Sequence, residues 1–141
     1  MRGKALALSA LLLALDISVT IAQSLFEQKA KCQKFADDFM QSQNVGIYWY
    51  QTYKSNLHPK LGNCYILVEA STADTNQPEY KSDVYLYDAV TKEHLAFTKY
   101  IKRQNGSEIK GGMIYDSYYT GDNFSYDAAE KYIADKMNTE R

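Results

Sequence analysis

Cys32, Cys64, His58 and His94 are the side chains of this sequence with the most reactive chemistry to offer. A cysteine activated by one of the imidazoles would be a nucleophile. No local motif supports that pairing, so it stands only as the alternative to a cysteine pair. Glu69 and Asp83 can lie side by side across two strands, the arrangement a carboxylate-dependent hydrolase would use. Solvent-facing sheets carry many such pairs, so this too is an alternative. Lys99, Lys102, Arg103 and Lys110 cluster near one strand end, as a charged edge that deters strand addition or as a site for an acidic ligand. Two separated histidines do not make a metal centre, and four ligands of zinc-binding type and spacing are not there to assemble. The sequence has no Gly-rich phosphate loop, no serine elbow, no zinc-protease helix and no Cys-x-x-Cys. Gly111-Gly112 is a lone pair that says little. No cofactor and no metal are expected.

Sixteen Lys and Arg against 17 Asp and Glu give a formal net charge of −1, which excludes a basic nucleic-acid-binding module. With 45% apolar and 23% charged residues the composition is that of a folded chain. The unusual number is 13 tyrosines beside five phenylalanines and one tryptophan. Tyrosine joins a rigid apolar body to a polar tip, a combination suited to wet interfaces.

Residues 1–22 read as a secretory leader. Arg2 and Lys4 open it, an uncharged Ala/Leu run from Ala5 to Leu15 follows, and Ala22 closes it with a small residue. The run is short and ends at Asp16, which disfavours a membrane span. A retained N-terminal anchor is the alternative. Cleavage after Ala22 leaves 119 residues (141 less 22) as a single domain, 23–141, with a net charge of −2. Its destination is the periplasm or the extracellular space. There the two cysteines pair by default. A Cys32–Cys64 disulfide closes a loop of about 30 residues and stabilises by roughly 3–4 kcal/mol in the chain-entropy model. Asn105-Gly106-Ser107 and Asn123-Phe124-Ser125 are acceptors for N-linked glycan in a eukaryotic secretory path and carry no meaning in a bacterium.

The elements that must position these residues follow from periodicity. Ser24 and Glu27 match a capping box, and Leu25, Cys32, Phe35, Ala36, Phe39 and Met40 recur at helical spacing to about Gln41. Strands are predicted over 47–54, 64–71, 83–89 and 95–102, with loops over 55–63 and 103–112. The stretch 113–119 is ambiguous. Ser125 and Asp127 mark the entry of a C-terminal helix whose face is Ala129, Tyr132, Ile133 and Met137. The fold class is α+β: N-terminal helix, four-stranded antiparallel meander, C-terminal helix and one disulfide.

Strand alternation then places side chains. If Cys64 faces the first helix, so do Ile66, Val68 and Ala70. The same logic turns Ile47, Trp49, Val84, Leu86, Leu95, Phe97 and Ile101 inward. Tyr48, Tyr50, Tyr65, Tyr85, Tyr87 and Tyr100 then collect on the opposite face. That face is either a stabilising aromatic sheet surface or a platform for a protein, a glycan or a second copy of the chain. The C-terminal helix is a further candidate to cover it.

The segment from Lys31 to about Tyr100 resembles small exported bacterial proteins of unknown function. The shared pattern is Cys32, Ala36 and Phe39, then Leu61-x-x-Cys64-Tyr65-x-x-Val68, then Leu86-Tyr87-Asp88-Ala89 and Ala96. This resemblance spans about half the chain and implies a cysteine-stapled helix-plus-sheet domain in the periplasm or outside the cell. It implies no reaction. The expectation is a non-enzymatic exported domain that binds a protein or glycan through its tyrosine face. The alternatives are a small carboxylate/His hydrolase and a purely structural envelope protein.

Overall fold

The computed structural model describes residues 24–42, 50–58, 60–72 and 79–137. The expected leader and its cleavage site lie outside the described residues, as do Ile47, Tyr48, Trp49 and the side chain of Tyr50. The chain divides into two units between Lys31 and Cys32.

Residues 24–42 are helical (α1). Within the first unit, residues 24–31 are exposed throughout, and Gln28 Nε2 donates to Ser24 Oγ at 3.4 Å. The expected capping box is not matched: Ser24 is already helical, whereas an N-cap residue lies outside helical φ/ψ.

In the second unit Cys32, Ala36 and Phe39 form the buried stripe of α1. Among the described residues five strands follow, not four: β1 (Tyr50–Leu57), β2 (Cys64–Ser71), β3 (Glu79–Asp88), β4 (His94–Arg103) and β5 (Glu108–Ile114). All pair antiparallel in the order β1-β2-β3-β4-β5. The last element is α2 (Tyr126–Met137). The chain is therefore α+β, and no described helix is long and apolar enough to cross a membrane.

Two corrections to the strand limits have physical causes. β1 runs on to Leu57, through residues expected in a loop, because Ser55, Asn56 and Leu57 pair with Ile66, Tyr65 and Cys64. Asn56 is buried, and its Nδ2 donates to the Lys136 carbonyl at 3.1 Å. It thereby satisfies one of the carbonyls that the end of a helix leaves without a partner. β5 occupies most of the other expected loop. Asn105-Gly106 does turn the chain, with Gly106 at φ 80° and its N–H donating to Arg103 O at 2.9 Å. The strand begins right after that turn.

Sulfur joins Cys32 to Cys64, pinning the part of α1 that begins at Cys32 to the start of β2. Both thiols are thus consumed, and the nucleophile alternative falls. Around the bond pack Ala36, Phe39, Ile66, Val68 and Ala89, flanked by Leu57, Tyr85 and Tyr87. The opposite face carries a second core of Tyr65, Leu67, Leu86, Ala96 and Ile114 beneath Ala129, Tyr132 and Ile133 of α2. Ser125 caps α2 by accepting the Ala128 N–H at 3.0 Å. Asp127 in its first turn and Lys136 in its last complement the helix dipole.

Among the described residues the tyrosines expected on one face are divided between two. Ile66 pairs with Tyr87 and Val68 with Tyr85, which puts both tyrosines on the disulfide face. Leu86 and Val84 face α2 instead. The inference failed because it assumed one covered face, while here each face has its own helix. Tyr65 and Tyr100 do lie on the α2 face, but Tyr65 is only 2% exposed. Leu95 also packs with the α2 core. It lies at a break in the β3–β4 ladder, where the register shifts between Leu86 and Tyr87.

Candidate functional site

Six rings meet on the disulfide face. They are Phe39 of α1, Tyr85 and Tyr87 of β3, His94 and Phe97 of β4, and Tyr115 just past β5. The register brings Tyr85 opposite Phe97 and Tyr87 opposite His94. Ring centroids are 4.8 Å apart for Phe39–Tyr87, 4.9 Å for Tyr87–His94 and 4.7 Å for His94–Tyr115. A second row, Tyr85–Phe97–Tyr115, runs at 6.3 and 6.1 Å with planes within 24° of parallel. Phe39 is buried, Tyr85, Tyr87, His94 and Phe97 are half-buried, and Tyr115 is 47% exposed. The array thus grades from the core to solvent.

Of the residues expected to bind, the structure unites Tyr85 and Tyr87 here and leaves Tyr65 and Tyr100 elsewhere. Tyr65 sits under the Lys136 ammonium, 5.5 Å from its ring centroid. Tyr100 lies beside Tyr80 and donates its hydroxyl to Glu108 Oε1 at 2.8 Å. The sequence offers His94 only as a reactive imidazole and Phe97 only as an inward residue, and does not single out Tyr115. His94 lies one residue before the strand expected over 95–102, yet it opens β4 opposite Tyr87 at the register shift. Tyr115 fell in the ambiguous stretch; its N–H donates to Leu95 O at 2.7 Å, which holds it against β4.

Burial favours the neutral forms of Tyr85, Tyr87 and His94. Burial raises the hydroxyl pKa values of Tyr85 and Tyr87, with Asp83 adding to the rise at Tyr85. Burial lowers the His94 pKa against an opposing pull from the Ala96 carbonyl, whose oxygen is 3.1 Å from Nε2. Between its ordinary value of 6.5 and the lower folded one, His94 takes up a proton more readily in the unfolded chain. Its contribution to stability is therefore present above 6.5 and lost as pH falls through this window. Denaturant titrations between pH 7.5 and 5 should show unfolding free energy falling with pH, with a shallower fall for His94→Phe. Parallel slopes for the two proteins would contradict this account of His94.

Beside the array, at the same end of the sheet, opens a cavity of about 580 Å³. His94 and Tyr115 belong to both. Its other walls include Tyr65, Leu95 and Tyr118, the carboxylates Asp88, Glu93 and Asp116, and Lys136. Asp88 Oδ1 accepts the N–H groups of Val90 and Thr91 at 2.8 and 2.9 Å, which shapes the β3–β4 turn. Lys92 in that turn adopts the left-handed region at φ 62°. Asp116 accepts the Tyr132 hydroxyl and the Tyr118 N–H. Burial pushes the Asp116 pKa up, but those two bonds and the Lys136 charge outweigh it and hold the carboxyl below its usual range. Tyr132 is raised in turn by burial and by Asp116.

Among the described residues no group of three or more His, Cys, Asp or Glu is arranged to hold a metal. Asn105 stands exposed at the β4–β5 turn, while Asn123 is half-buried with its carbonyl accepting the Ile114 N–H. No protein-family model, no curated protein and no solved structure matches this chain.

Proposed function

We propose that this protein is an exported, non-enzymatic binding domain that docks a protein partner on the ring array of its disulfide face. The observation that carries the reading is the unbroken series of ring contacts from buried Phe39 to Tyr115, which is 47% exposed. Anchored, half-exposed aromatic rings are the side chains that dominate protein interfaces, because they bury much area at little entropic cost. The leader-like start and the disulfide support export. Uncharged rings with hydroxyl tips suit a protein surface better than a charged ligand.

The test places a photoreactive benzoyl-phenylalanine at position 115 and, as a comparison, at Lys92, an exposed turn position off the array. Irradiation in the cells that make the protein should yield one dominant cross-linked species from position 115. The added substitution Phe97→Ser should weaken it severalfold while leaving the circular dichroism spectrum unchanged. Equal capture from both positions, or capture indifferent to Phe97→Ser, would overturn the reading.

A further inference from the structure

We infer that the cavity beside the ring array receives a cationic side chain of the docked partner, a lysine ammonium or an arginine guanidinium. The inference rests on the docking reading above and adds to it the chemistry of the residue that enters the cavity.

Charge balance is the first argument. Among the described residues Asp88, Glu93 and Asp116 contribute three carboxylates to the walls, against the single cation Lys136. That lysine is already engaged: its Nζ stands 5.5 Å from the Tyr65 ring centroid and 5.2 Å from that of Tyr132. Each Asp116 oxygen already accepts one bond, so Asp116 contributes chiefly its charge to the cavity. Asp88 differs, because its turn bonds use Oδ1 alone. Glu93 is exposed at the rim. The cavity therefore keeps excess negative charge and at least one carboxylate able to accept from an incoming N–H group.

The walls are also of a kind that favours a cation. His94 and Tyr115 present rings to the cavity at a centroid separation of 4.7 Å, and Tyr118 stands at its mouth with 91% exposure. Aromatic faces attract cations and repel anions through the ring quadrupole, more strongly where water is excluded. A long aliphatic stem ending in a charged head matches such walls, with the stem along Leu95 and Tyr115 and the head at the carboxylates. An anion would meet like charge, and a neutral group would leave the carboxylates uncompensated. The volume of about 580 Å³ admits one such side chain with accompanying water. Since the cavity and the array share His94 and Tyr115, one partner surface can cover both.

The probes are Nα-acetyl-lysine methylamide and Nα-acetyl-arginine methylamide, with Nα-acetyl-norleucine methylamide as a neutral comparison of similar shape. Amide resonances of residues 93–95 and 115–118 are followed by NMR during titration of the intact protein. Saturable shifts are expected with the two cationic probes, at least threefold weaker with norleucine. Glu93→Gln should weaken the cationic probes by roughly three- to fivefold, the scale of one exposed ion pair, and leave the norleucine titration unchanged. No saturable shifts, equal response to norleucine, or indifference to Glu93→Gln would overturn the inference. Those failures together with intact cross-linking from position 115 reject the cation but spare the docking reading. Loss of the position 115 cross-link rejects that reading, and this inference with it.

Discussion

Replacing Cys32 and Cys64 together by alanine lowers the unfolding free energy by about 3–4 kcal/mol and the melting midpoint by on the order of 15 °C. The residues are 32 apart in sequence, and the entropy that a cross-link removes from the unfolded chain grows with the logarithm of that loop. Both sulfurs are also buried, so the alanines leave space where Ala36, Phe39 and Ile66 now pack. Equilibrium urea unfolding of the two proteins measures the difference. The variant should also show a larger m-value, because its unfolded chain is free to expand. A loss under 1 kcal/mol would mean that the helical residues after Cys32 hold to the sheet by packing alone. The experiment therefore bears on the site too, since Phe39 of α1 is the inner anchor of the ring array.

Gly112→Ala costs about 1–3 kcal/mol by overpacking, while Gly111→Ala stays within about 0.5 kcal/mol of the native protein. The two glycines are neighbours in β5 and point to opposite faces. A Cβ on Gly112 would lie 2.9 Å from the Ala129 Cβ, from Ser125 O and from the Tyr126 Cα. Two of those atoms are backbone and belong to the first turn of α2 or its cap, so the helix itself must lift. A Cβ on Gly111 meets nothing within 4 Å. Thermal or urea unfolding of the two single variants decides the matter, and equal stabilities would show that α2 does not rest on β5 as described. Lifting α2 would also disturb Tyr132, which donates to Asp116, and Lys136, which stands over Tyr65; Asp116, Lys136 and Tyr65 line the cavity.

These two sites show where the sequence could and could not be read. The cysteine pair was legible because a leader-like start and a lone pair of thiols leave little else. β2 was legible to the residue, since Cys64–Ser71 is an apolar run bounded by turn residues. β5 was not, because Gly111-Gly112 looks like a loop until the helix that needs the missing Cβ is in view. The tyrosine parity failed for a related reason. In a strand with a helix over each face, both alternating sets are apolar or aromatic, so alternation no longer reveals which set faces which helix. Tyr85 and Leu86 are both good core residues, and only the pairing of Val68 with Tyr85 decides between them. His94 joined the array through the register shift at Leu86/Tyr87, and a local irregularity of that kind leaves no periodic trace.

The strand order has a consequence for how the chain reaches this state. Every strand pairs with its immediate successor, so the entire sheet is assembled from local hairpins. Loop closure is then short at each step, and low contact order of this sort favours rapid folding for a β-rich chain. The ladder can zip from β1 to β5 hairpin by hairpin. α2, which follows the strands, comes down on a floor of Leu67, Leu86, Ala96 and Ile114 that is complete only when β5 is in place. Until it docks, that floor is bare hydrophobic surface, so the interval between zipping and docking is when the chain is most exposed to aggregation.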